Sequence, residues 1–178
     1  MRPAPGEVLH FSEDSTITRF EPHVAATAQQ PEAYVWAVGA ERAPDYWFPR
    51  QCPRAMAWTV PGTTEADRSW LGDSRVHAIE YGWLAVMQSV RLYAYRFSAA
   101  SFRSFGEHAH AVVATSPVSP LGPPEPVGDL LALHDEAGIQ LRVVSNLWGF
   151  VDAAAGSSLG FSGIRLRNAR PRVGELQA

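Results

Sequence analysis

The stretch "GEVLHFSEDSTITRFEPHV", residues 6–24, decides how the rest of the chain is read. Its first part, "EVLHF" (7–11), predicts a short β-strand after a Pro/Gly-rich start. Side chains alternate across a strand, so Val8 and His10 share one face and Leu9 and Phe11 the other. A histidine so placed has two readings: it binds a ligand hydroxyl through its imidazole, or it sits in the core bonded to a backbone carbonyl. Ser12 and Ser15 do not make a capping box, so "SEDSTITRF" predicts a turn or a short helix.

Outward from this segment the chain is a series of short elements. Residues 22–32 lack periodicity and read as a loop. "AYVWAV" (33–38) is a strand of β-branched and aromatic residues. "GAERAPDYWF" (39–48) is a short helix interrupted by Pro44. "AMAWTV" (55–60) is a strand ended by a Pro-Gly turn. Residues 73–90 carry apolar side chains at Val76, Ile79, Trp83, Val86, Met87 and Val90, a helical spacing. Strands follow at 91–97 and 110–115. The next segment, 116–128, holds Pro117, Pro120, Pro123, Pro124 and Pro126 and must be extended chain lying on the surface. A helix at 129–138 stops at Gly138. A strand at 139–144, a helix at 147–157 and a last strand at 159–168 complete the order, with residues 1–6 and 170–178 as flexible ends. Strict βαβ alternation is missing, which predicts an α+β single domain rather than a doubly wound sheet.

Composition sets limits on function. The 178 residues include 46% apolar side chains, enough for a folded core. A net charge of −3 offers nothing to duplex DNA or an anionic membrane. All fifteen basic residues are arginine. This excludes a lysine Schiff base, a lysine general base and a P-loop lysine. One cysteine, Cys52, allows neither an internal disulfide nor a cysteine zinc cluster. No apolar run approaches the ~20 residues of a membrane span and no signal-peptide layout opens the chain, so a cytoplasmic protein is expected.

Several groups are candidates for chemistry. Trp36 on its strand and Tyr46 on the next helix are placed to sandwich a flat ring, or to pack as ordinary core. "FGEHAHAVVAT" brings Glu107, His108 and His110 to the start of a strand, and His108 with His110 is a metal-binding pair if His10, His23 or a carboxylate joins them. On a helix, His77 and Glu80 would be neighbours and form a local pair. "LHDEAG" (133–138) reads as a solvated helix end. Arg165 and Arg167 would share one face of the last strand, either to meet phosphate or to keep a solvated edge from aggregating. Hydrolase-elbow, dinucleotide and zincin motifs are absent.

Two resemblances rest on these residues. Through "LHFSEDSTITRFEPH", "VWAVGAERAPDYWFPRQCPR", "PLGPPEPVGDLLALHDEAGIQLR" and "GFSGIRLRNARPR", nearly the whole chain resembles a family of short bacterial proteins of unknown function. More distantly, "LHFS" and "VWAVGAERAPDYW" resemble the ADP-ribosyltransferase superfamily. That likeness implies a split mixed or antiparallel sheet with short helices. It implies NAD or a related nucleotide as ligand, with transfer or hydrolysis of ADP-ribose. His10 and Ser12 would anchor the nicotinamide ribose, Trp36 would line the site and Tyr46 would stack on nicotinamide. Where the superfamily often opens a late strand with glutamate, this chain has His108 or His110, with Glu107 just before. The departure favours a binding protein that keeps the fold without the chemistry. Breaking the nicotinamide bond creates oxocarbenium-like charge, which a carboxylate such as Glu107, Glu13 or Asp14 would stabilise. Arg50, Arg54, Arg165 and Arg167 would meet the diphosphate.

Overall fold

The alternation in the opening segment is realised as strand β1 (Glu7–Ser12), which pairs antiparallel with β5 (Tyr93–Ser98). A computed structural model describes residues 1–24, 32–106, 111–172 and 174. Two compact units divide the chain, neither of them a continuous segment: Met1–Trp47 with Arg91–Gly128, and Phe48–Val90 with Asp129–Ala178. The described residues form a mixed α/β fold of open antiparallel and mixed sheets, with four short α-helices among them.

In the first unit, Val8 stands opposite Phe97 and His10 opposite Tyr95, so these side chains share a face. Phe20, Val35, Ala37 and Ala114 close that face into an aromatic core. The second sheet of this unit consists of β2 (Val35–Ala37), β7 (Ala111–Ala114) and β6 (Arg103–Phe105), all antiparallel. A bridge between Leu9 and Val38 joins the two sheets. The helix expected over 39–48 is one 3-10 turn, Ala43–Tyr46, with Pro44 in its first turn, where a missing N–H costs nothing. No helix forms between Ser12 and Phe20. There the Asp14 carboxylate accepts from the Thr16 N–H at 2.8 Å and its hydroxyl at 2.7 Å, a local turn that competes with helix.

The proline-rich segment is extended, as its composition requires. Val118 bridges Phe20, and β8 (Glu125–Pro126) adds to the edge of β5, the one kind of strand position that tolerates proline. On the face of β5 opposite the aromatic core, Arg96 gathers Glu7 at 2.9 Å and Glu125 at 2.6 Å. The hydrogen bonds from Arg96 hold the Glu125 carboxyl below the ordinary carboxylate range.

The second unit is a four-stranded sheet in the order β10 (Gly160–Ile164), β3 (Arg54–Trp58), β4 (Arg75–Glu80) and β9 (Gln140–Val144). The first two pairings are antiparallel and β4–β9 is parallel. This corrects the helix expected over 73–90. Residues 75–80 form β4, 81–83 a 3-10 turn, and only Leu84–Ser89 is helical, as α2. Strand β4 is central and buried on both faces, so it carries no polar alternation to announce it.

Helix α1 (Glu65–Leu71) begins at Thr64, whose hydroxyl accepts from the Asp67 N–H. Asp67 in turn accepts from the Ser158 hydroxyl, the Ser158 N–H and the Thr64 hydroxyl, bonds that hold its carboxyl low. Asp129 caps α3 (Leu130–Glu136), and Gly138, at φ 64°, follows its end in the left-handed conformation that favours glycine. Helix α4 (Trp148–Ala155) covers one sheet face, where Phe150, Val151 and Ala154 meet Ala55, Val76 and Ala78.

The last strand ends at Ile164, short of the expected 168. Arg165 turns left-handed at φ 57°, and Leu166–Asn168 is a 3-10 turn, so Arg165 and Arg167 do not share a strand face. Residues 170–172 are tied down rather than loose. Trp148 Nε1 donates to the Arg170 carbonyl at 2.8 Å, and Arg172 makes a two-point pair with Asp152 while lying 4.1 Å over the Trp148 ring. Among the described residues, no helix is long and apolar enough to cross a membrane.

Gly160 is required by a close approach. A Cβ there would lie 2.3 Å from the Trp58 indole, which covers the strand at that point. Gly160→Val is therefore expected to displace Trp58 and lower stability by ~1–3 kcal/mol. Denaturant unfolding checks this, with a red-shift of the native tryptophan fluorescence reporting the displaced ring.

Candidate functional site

Strand β1 positions the first candidate. The His10 Nδ1–H donates to the Trp36 carbonyl at 2.7 Å. A carbonyl only accepts, so Nδ1 carries a proton. The imidazole also tilts against Phe20, with ring centroids 4.9 Å apart. Ser12, on the same face, is buried, and its hydroxyl accepts from the Asp14 N–H at 3.1 Å. Tyr95 completes the corner: its hydroxyl donates to the Asp14 carbonyl at 2.7 Å and accepts from the Ile17 N–H at 3.2 Å. Burial pushes the Tyr95 hydroxyl above its usual range. The Thr16 bonds hold Asp14 below its usual range, so its carboxylate is charged at neutral pH.

Trp36 reaches His10 through its carbonyl and not through its indole. Val35 and Ala37 face the aromatic core, and the indole points the other way. There it packs edge-on against Phe105 at 4.7 Å and Tyr34 at 5.8 Å. Its Nε1–H is buried with no hydrogen-bond partner among the described residues. Arg103 lies 5.6 Å over the Tyr34 ring at the margin of this cluster. Tyr46 ends the 3-10 turn, half-buried. Beside it Arg42 and Asp45 form a buried ion pair at 2.9 Å. Glu107, His108 and His110 lie outside the described residues. Among the described residues, no three His, Cys, Asp or Glu side chains are grouped to hold a metal ion.

Arg50, Arg54, Arg165 and Arg167 belong to the second unit, whereas His10, Ser12, Trp36 and Tyr46 belong to the first. Arg54 is buried, donates to the Cys52 carbonyl at 3.0 Å and lies 5.1 Å over the Phe48 ring. Cys52 is buried, and burial pushes its thiol up to about 12, so it is not a thiolate nucleophile at neutral pH.

The second unit also holds two groups that the sequence misplaced. His77 and Glu80 lie three apart on a strand, hence on opposite faces, and form no local pair. His77 meets His134, which is buried rather than solvated, at 3.1 Å. The Glu80 carboxyl accepts from the Leu147 N–H at 3.1 Å and the Arg170 N–H at 3.1 and 3.2 Å. The one signal for these roles was the rarity of buried Glu and His, legible only once residues 75–80 are read as a central strand.

Residues 9–169 match a family of unknown function (DUF6886), and the chain belongs to it. No curated protein and no solved structure matches the chain. The likeness to ADP-ribosyltransferases therefore rests on the sequence motifs alone.

Proposed function

We propose that the protein binds NAD or a related nucleotide through its first unit, at the His10 end of β1, with transfer or hydrolysis of ADP-ribose as its reaction. The observation that carries this reading is the bond from His10 Nδ1–H to the Trp36 carbonyl. It fixes the orientation of the ring before any ligand arrives. Such preorganisation lowers the cost of positioning a ligand. The charged Asp14, two residues beyond Ser12, supplies a carboxylate of the kind that an oxocarbenium-like centre calls for.

A second reading, a non-catalytic ligand-binding protein on the same fold, is favoured by Phe20. Its ring on the imidazole makes His10 part of an aromatic core as much as a reactive group.

Calorimetric titration with NAD, with nicotinamide followed in the same sample, separates the readings. Saturable binding with nicotinamide release is expected for the first. Binding without release would exclude hydrolysis and leave a sensor or a transferase without its acceptor. No binding would overturn the first reading and leave "LHFS" as a strand of an ordinary core.

A further inference from the structure

The strongest unassigned group in the molecule lies in the second unit, where two buried imidazoles join α3 to the sheet. Arg75 Nε–H donates to His77 Nε2 at 3.1 Å. His77 Nδ1 lies 3.1 Å from His134 Nε2, and His134 Nδ1 lies 2.7 Å from the Leu130 carbonyl. Phe48 packs on both rings, at 5.6 and 5.0 Å.

Both ends of this chain dictate the same proton order. A guanidinium N–H can only donate, so His77 Nε2 carries no proton and its proton is on Nδ1. That proton is donated to His134 Nε2, which leaves the His134 proton on Nδ1. Starting from the other end, the Leu130 carbonyl can only accept, which also puts the His134 proton on Nδ1. All four ring nitrogens are thus engaged, in one direction, with both imidazoles neutral.

One added proton has no place in this order. On His134 Nε2 it would face the His77 N–H; moved along to His77 Nε2, it would face the Arg75 N–H. Either way two donors meet in the interior, where an unsatisfied polar contact is costly.

We propose that the His77–His134 pair is a proton-sensitive latch: it holds α3 on the sheet while both rings are neutral, and uptake of the first proton releases it. Arg75 approaches along β4, and on the β3 side Arg54 lies over Phe48, the ring that packs on both imidazoles. From β9 the residue opposite His77 is Leu141, which carries no charge. Glu80, further along β4, is committed to the Leu147 and Arg170 N–H groups. Of the acids on α3, Asp129 caps its start, and Asp135 and Glu136 are exposed.

The test is nitrogen NMR of histidine-labelled protein, with hydrogen exchange of the 131–136 amides followed over the same pH range. At neutral pH both rings are expected to be neutral with the proton on Nδ1, the less common tautomer. As pH falls through their titration, exchange of the α3 amides, corrected for its intrinsic pH dependence, should speed up about tenfold relative to the β10 amides. That is the change one lost buried hydrogen bond makes in an opening equilibrium. His134→Gln keeps an acceptor for His77 but takes up no proton, so it should fold and lose this pH dependence. A proton on Nε2 of either ring at neutral pH would overturn the proposal, and the tautomers of the unmutated protein decide this even if the variant fails to fold. Titration of the rings with no change in α3 exchange would overturn it equally.

Discussion

Glu80→Ala is expected to destabilise the second unit by about 2–5 kcal/mol. Two backbone N–H groups, of Leu147 and Arg170, depend on the Glu80 carboxyl oxygens. Each donor left unsatisfied in the interior costs ~1–3 kcal/mol, and truncating a side chain that is only 2% exposed adds a packing loss. The Leu147 N–H lies at the start of α4, and Arg170 lies where the chain returns across Trp148. The loss should therefore be felt as looser docking of α4 and of residues 168–172. Glu80→Gln keeps one carbonyl acceptor but turns an NH2 group toward a donor, so an intermediate loss is expected. Denaturant unfolding of the three proteins measures this. A change for Glu80→Ala within ~0.5 kcal/mol, typical of an ordinary surface site, would contradict it.

Phe20→Ala is expected to cost the first unit about 3–5 kcal/mol, the range for removing a buried aromatic ring. Phe20 holds His10, Tyr95 and Phe97 at centroid distances of 4.9, 5.0 and 5.1 Å, two of them edge-on. Aromatic pairs of this geometry contribute beyond their buried area. Phe20→Leu keeps most of the volume and should lose less, while removing the ring from the imidazole. The pair of variants separates core packing from the hold on His10. Equal stability of Phe20→Ala and the unmodified protein in chemical unfolding would refute the role given to this ring.

The sequence disclosed those elements whose local chemistry and tertiary role agree. "AYVWAV" and "RLYAYRF" hold strands, and a helix runs from residue 130 to a stop before Gly138, because the side chains that prefer those conformations also face the core. Residues 73–90 misled because apolar spacing is ambiguous for a buried strand followed by a short helix. Val76 and Ile79 fit a helical stripe, yet His77, Ala78 and Glu80 between and beside them are equally buried. Helix α1 carried a readable start at Thr64 and stop at Gly72 but too few apolar positions to stand out. At the candidate site, the strand position of His10 was legible from alternation. The direction of the Trp36 indole was not, because it depends on which face of β2 meets the core. The His77–His134 contact joins residues 57 positions apart, a separation that periodicity does not reach.

Whether His10 receives a nucleotide is decided by nitrogen NMR of histidine-labelled protein during titration with NAD. The unliganded protein should show a proton on His10 Nδ1, as the bond to the Trp36 carbonyl requires. Added NAD should move the His10 Nε2 resonance saturably, in step with the calorimetric binding curve. A His10 resonance that stays fixed while NAD binds, or while NAD fails to bind at all, would contradict binding at His10 and leave it as a core residue of the first unit.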